Sequence, residues 1–116
     1  MISYFEIPVS DMDRAMAFYG KALGSRFTRQ TIDGYDMALF AGDGPVHGAL
    51  ARGDVYVPGK AGPVLYFAVE DIRAVLARAV AAGGEMLYPV KDIGENGWVA
   101  EFADSEGNRI ALSQPR

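Results

Sequence analysis

There is no cysteine anywhere in the chain. That excludes a disulfide-held scaffold, a thiolate nucleophile and a Cys-ligated metal centre. It suits a reducing compartment, and the cytoplasm is the expected location. Histidine occurs once, at His47, and tryptophan once, at Trp98. Lysine and arginine form no run, and a formal net charge of −4 is spread with both signs mixed. The electrostatic footprint of a nucleic-acid binder is therefore missing. No apolar stretch approaches the length of a membrane span, so neither nucleic acid nor membrane is expected as a partner. Met1-Ile2-Ser3 has no basic region ahead of an apolar one, and no signal peptide is expected.

What the chain does have is apolar residues: half of its 116 positions are hydrophobic. A single domain over 1–116 is the default at that length, and it can bury roughly 60–70% of its unfolded surface. The most ordered stretch is Tyr4 to Tyr19. Phe5, Ile7 and Val9 alternate with Tyr4, Glu6 and Pro8, the pattern of a half-buried strand. Ser10 or Asp11 then caps a helix, since either side-chain oxygen can accept from a free first-turn N–H. Ala15, Phe18, Tyr19, Ala22 and Leu23 form one apolar stripe on that helix, and Gly24 ends it. Phe27 to Ile32 and Tyr35 to Ala41 read as strands joined by the hairpin signal Asp33-Gly34. His47 to Ala51 reads as a short fourth strand.

The design then returns. Pro63 to Val69 is a strand, Asp71 a cap, and Ile72, Val75, Leu76, Ala79 and Val80 a second apolar stripe ended by Gly83-Gly84. Glu85 to Lys91, Trp98 to Ala103 and Arg109 to Ser113 follow as strands, with a glycine-bearing loop at 94–97 and a turn at 104–108. Val9 and Asp11 reappear sixty positions on as Val69 and Asp71. Phe40, Ala49 and Leu50 reappear sixty-two positions on as Phe102, Ala111 and Leu112. Internal duplication explains this most simply. It divides the domain into module one at about 1–52, a linker at about 53–62 and module two at about 63–116. Arg52-Gly53-Asp54, the tripeptide of adhesion ligands, reads as coincidence in a chain with no secretion signal.

The fold class is α+β, with one face of each sheet covered by helix and the other left to line a cavity or meet a partner. Glu6-Ile7-Pro8-Val9-Ser10-Asp11, the helix carrying Arg14-Ala15, Phe18-Tyr19 and Leu23-Gly24, then Val69-Glu70-Asp71-Ile72, Gly83-Gly84 and Phe102 to Ile110 together resemble the vicinal oxygen chelate superfamily. That superfamily includes glyoxalase I, bleomycin- and fosfomycin-resistance proteins and extradiol dioxygenases, and the nearest likeness is to small glyoxalase-like proteins. The resemblance covers nearly the whole chain. It implies two βαβββ modules forming a curved mixed sheet around a cleft, with the helices on the outer face.

The family's metal enzymes place a His, Glu or Gln on each of four strands. Carried over, those positions fall at Tyr4, at or near Ala49, at Val64 and at Ala111. Alanine and valine supply no ligand atom, and neutral Tyr4 is a poor one, so no metal and no other cofactor is expected. Strand alternation sends Tyr4, Glu6, Met37, Leu39, His47, Ala49, Val64, Tyr66, Val99, Glu101, Arg109 and Ala111 toward the cleft. This is a mostly apolar wall with few polar groups, the make-up of a small-molecule site.

Within it, Glu6 and Glu101 are the candidate catalytic residues, as acid and base or as holders of a cationic ligand. The other reading has each at a solvated edge or paired with Arg109. Tyr4 and Tyr66 occupy matching places in the two repeats and either stack on a planar ligand or fill the cleft. Trp98 follows the loop at 94–97 and either closes the cleft or plugs a sheet edge. His47 near a turn is either a solvated imidazole or a base or metal ligand, and with Glu6 and Glu101 it would make a relocated metal centre. The ligand-binding set is thus Tyr4, Glu6, Tyr66, Glu101, Arg109 and Trp98. Catalysis stays open. The first reading is a metal-free, sequestering or resistance-type binder of a small organic molecule. The alternative is a glyoxalase-like lyase or isomerase, or a dioxygenase, with relocated ligands or carboxylate chemistry. Open sheet edges and apolar rims point to a homodimer.

Overall fold

Asp11 begins the first helix as its side chain accepts the Arg14 N–H at 3.0 Å, so the choice between Ser10 and Asp11 falls to the second. The computed structural model describes residues 1–116. Module one runs β1 (Phe5–Pro8), α1 (Met12–Leu23), β2 (Arg26–Ile32), β3 (Tyr35–Ala41) and β4 (Gly48–Arg52). Module two runs β5 (Leu65–Ala68), α2 (Ile72–Ala81), β6 (Glu85–Asp92), β7 (Trp98–Ala103) and β8 (Arg109–Gln114). Asp71 caps α2 in the same way, accepting from Ala74 N–H at 3.2 Å. Asp33 and Gly34 both take positive φ, 53° and 79°. That conformation matches the strand twist in a two-residue hairpin.

The modules are built alike. Their sheets are ordered β1-β4-β3-β2 and β5-β8-β7-β6. In each, the first strand pairs parallel with the last, and the other pairs are antiparallel. No backbone ladder joins β1 to β5, so the curved surface is two four-stranded sheets side by side. The gap holds side chains instead: the Phe5 and Phe67 rings meet edge to face at 5.9 Å. Phe5 also lies across Gly48, where a Cβ would overlap its ring.

Ile7, Val9, Phe18, Tyr19, Leu50, Ile72, Val75, Phe102 and Leu112 belong to one core shared by both modules. Burial of each large side chain contributes roughly 1.5–3 kcal/mol. The helices pack on each other within it, and Arg78 Nε donates to the Ala22 carbonyl at 3.3 Å. Val80 departs from the expected stripe and is 46% exposed. At 3.6 residues per turn it stands about 80° round from Ile72, off the face that Ile72, Val75, Leu76 and Ala79 bury.

The turn after β7 locks module two onto module one. Glu106 accepts from the N–H groups of Ser10 and Asp11 at 2.8 and 2.9 Å and from Arg14 Nε at 2.8 Å. Tyr19 donates its hydroxyl to buried Asp104. No helix is long and apolar enough to cross a membrane.

Candidate functional site

The linker is the segment that makes a site. It leaves β4 at Arg52 and returns at β5, crossing the place where β1 approaches β8. Two polar contacts hold it there. The Tyr56 hydroxyl donates to Glu6 Oε1 at 2.8 Å. The Gly59 N–H donates to Asn108 Oδ1 at 3.0 Å, while Asn108 Nδ2 donates to the Pro8 carbonyl at 2.7 Å. Asn108 is buried, so leaving its amide unpaired would cost about 1–3 kcal/mol. Beneath the linker lies a solvent-open groove of about 530 Å³. Pro8, Val57, Pro58, Pro63, Leu65 and Ile110 give it apolar walls, and Glu6, Lys60 and Arg109 are its charged groups.

Glu6 does not face the groove as a free carboxylate. Its second oxygen accepts the Tyr4 hydroxyl at 3.1 Å. The bond to Glu6, with some burial, pushes the Tyr56 phenol up to about 12. Burial, with the same carboxylate, raises Tyr4. Both phenols therefore stay protonated donors at neutral pH. Tyr35 stacks edge to face on Tyr56 at 5.4 Å and donates to Asp54 at 3.4 Å. This aromatic cluster extends the latch along the linker. Nothing in the Pro- and Gly-bearing stretch 52–62 had marked Tyr56. The only signal was an aromatic residue with a hydroxyl in an otherwise unpatterned segment.

Glu101 is engaged as well. It accepts from Arg109 Nε and Nη2 at 2.8 and 3.0 Å, a bidentate pair. Its side chain is 16% exposed, against 42% for Arg109. Of the two readings of this carboxylate, the geometry has the ion pair. Glu6 and Arg109 line the groove together; Tyr4, Tyr66, Glu101 and Trp98 are not among its lining residues. Tyr4 and Glu101 each touch a residue that is, through Glu6 and Arg109 respectively. Tyr66 sits opposite Ala111, as does Glu101 from the other side, so those three form a row on the open face of the second sheet.

Trp98 stands elsewhere. Alternation along β7 puts it on the helix side with Ala100 and Phe102, against the core and beside Ile72. Arg116 covers its ring at 4.4 Å and donates to the Gly94 carbonyl at 2.8 Å. The loop at 94–97 is thereby tied down away from the groove, and the linker is what covers it. His47 is exposed and borders a separate shallow hollow with Phe5, Phe40 and Phe67.

The positions corresponding to metal ligands do not fit a divalent ion. Ala49 and Ala111 are fully buried and carry no donor, Val64 carries none, and the Tyr4 hydroxyl is given to Glu6. No group of three or more His, Cys, Asp or Glu side chains is gathered in a way that could hold a metal.

Comparison with known proteins agrees with this architecture. The sequence model of the Glyoxalase/Bleomycin resistance protein/Dioxygenase superfamily matches residues 1–112. A glyoxylase-like domain-containing protein of Didymella fabae is 31% identical over 118 residues, taking in 96% of this chain and 91% of that one. CFP32 of Mycobacterium bovis is 27% identical over 118 residues, 97% of this chain but 44% of its own length, so the chain spans less than half of that relative. TnmS3 of Streptomyces sp. CB03234, an antibiotic binding protein, superposes with a TM-score of 0.73 at 25% identity, covering 100% of this chain and 96% of that one. With its duplicated βαβββ modules and a family match running almost from end to end, this chain belongs to the glyoxalase/bleomycin-resistance/dioxygenase superfamily.

Proposed function

We propose that the protein binds a small organic molecule in the groove beneath the linker and does so without a metal, as a sequestering or resistance-type binder. The observation that carries this reading is the groove itself. It is mostly apolar, of a size within the range of about 300–1,000 Å³ usual for small-molecule sites, and roofed by a segment pinned at Tyr56 and Gly59. The likeness to an antibiotic binding protein supports it. Glu6 and Arg109 line the groove, Tyr4 and Glu101 hold them in place, and Tyr66 borders the open face of the second sheet. In this reading the carboxylates position their neighbours and carry no acid–base step. The protein is proposed to act in the cytoplasm, which its lack of cysteine suits.

A homodimer belongs to the same proposal. Tyr4, Tyr66 and Tyr88 are 40%, 56% and 38% exposed. Tyr88 pairs with Glu101 across β6 and β7, which puts it with Tyr66 on the helix-free side. A second copy covering these rings would remove apolar surface that water otherwise wets.

The test is a ligand-observed NMR screen of a metabolite and antibiotic library, run in excess chelator on the wild type and on Ala61→Trp. Ala61 is exposed at the groove's edge, so the indole fills the space without disturbing the core. Binders of the wild type that Ala61→Trp loses support the reading. Binders that need added metal, or that ignore Ala61→Trp, overturn it.

A further inference from the structure

Resting on that reading of the groove, we infer that its ligand is an organic anion: an apolar body bearing one carboxylate, sulfonate or phosphate. The inference comes from which polar atoms in the groove remain unspent. The residue types alone suggest the opposite, because Glu6 and Glu101 invite a cation. Both carboxylates already have partners, a cation for Glu101 and neutral phenols for Glu6, which keeps its charge. Glu6 accepts one phenol on each oxygen. Glu101 accepts two guanidinium N–H groups from Arg109. Asn108 is likewise committed, donating to Pro8 and Asp104 and accepting from Gly59.

Two donors remain. Lys60 lines the groove and makes no hydrogen bond or ion pair with the rest of the chain. Its ammonium has three N–H groups to give. Arg109, also a lining residue, spends Nε and Nη2 on Glu101, which leaves Nη1 without a partner. The Arg109–Glu101 pair carries no net charge, so Arg109 offers a fixed N–H donor and Lys60 is the groove cation with no ion-pair partner. The side-chain donors left without a partner are both on cationic residues, and beyond Glu6 and Asn108 the remaining side chains of the wall are apolar. A cationic ligand would meet the Lys60 ammonium and find Glu6, the carboxylate of the groove, already holding a phenol on each oxygen. A neutral apolar ligand would leave both donors unanswered. An anion with an apolar body answers both.

Two fluorescent probes with the same aromatic body separate these cases: 1-anilinonaphthalene-8-sulfonate and its uncharged parent, N-phenyl-1-naphthylamine. Each is titrated into the wild type, Lys60→Gln, Lys60→Glu and Ala61→Trp. The expected result is one sulfonate site per chain, bound about fivefold or more tighter than the neutral amine, the scale of one partly exposed ion pair. Lys60→Gln should remove most of that preference and Lys60→Glu should reverse it, while binding of the neutral amine changes little. Lys60 is exposed and unpaired, so neither change threatens folding. Equal binding of the two probes, or a sulfonate affinity indifferent to Lys60, overturns the anion assignment while the groove stands. Binding of neither probe, or of both irrespective of Ala61→Trp, overturns the groove reading itself.

Discussion

Glu106 is the residue with the largest hidden role. Its side chain is wholly out of solvent. Burial pulls its carboxyl up, but Arg14, the Asp11 and Ser10 N–H groups and the Ser105 hydroxyl together hold it at about 2, below its ordinary 4.5. The folded state therefore keeps this carboxylate charged where the unfolded chain would protonate it. Its contribution is complete above about pH 4.5 and is lost as pH falls toward 2. Linkage sets it at about 3 kcal/mol. Urea unfolding across that window should show Glu106→Gln losing less stability than the wild type by roughly this amount, starting from a lower value at pH 7. Parallel curves would contradict the assignment. Tyr56→Phe removes one phenol from Glu6. It should cost about 1 kcal/mol of stability, speed amide hydrogen exchange across residues 56–61 and weaken groove ligands. Unchanged exchange would show that the latch does not hold the linker. The faces of Glu6, Glu101 and Arg109 were legible from strand alternation, and the Glu101–Arg109 pair stood among the readings because one turn joins their strands. Tyr56 was not legible. Its partner lies 50 positions away, and only the path of an unpatterned linker brings them together.

Among the elements, the strands and helices followed the chain's own punctuation closely. Asp11, Gly24, Asp33-Gly34, Asp71 and Gly83 act through local backbone chemistry, which a sequence displays. Errors arose where tertiary context decides. Val80 was counted in the stripe at spacing i+8, but it turns off the face that Ala79 beside it buries and stands exposed. Val75→Ala should therefore cost about 2 kcal/mol through lost burial and a residual cavity, and Val80→Ala under about 0.5 kcal/mol, as is usual for surface positions. Thermal or urea denaturation of the two variants checks this, and equal costs would refute the orientation of α2. Trp98 was weighed as a lid from its glycine-bearing loop. Parity with Phe102 carried the better information, and Arg116 over the ring is a contact from the far end of the chain.

In the whole molecule, the duplication was visible as repeated residues, but the meeting of the modules was not. It depends on the Phe5–Phe67 contact, on Asn108 bridging Pro8 to Gly59, and on Glu106 reaching α1. The Asn108 bonds hold the linker over the groove, and the tyrosine-bearing faces stay open. Light scattering at tens of micromolar should give twice the mass of a 12.5 kDa chain, since a standard-sized interface persists at that concentration. A monomer there would refute the dimer. The groove as a metal-independent ligand site is best tested by a crystal structure of the protein grown in chelator with a ligand from the NMR screen. Ligand density bounded by Pro58, Leu65 and Ile110, with an anionic group toward Lys60 and Arg109 and no ion bridging ligand to protein, is the predicted result. Ligand density on another surface, or in the groove but held through a metal ion, would contradict it.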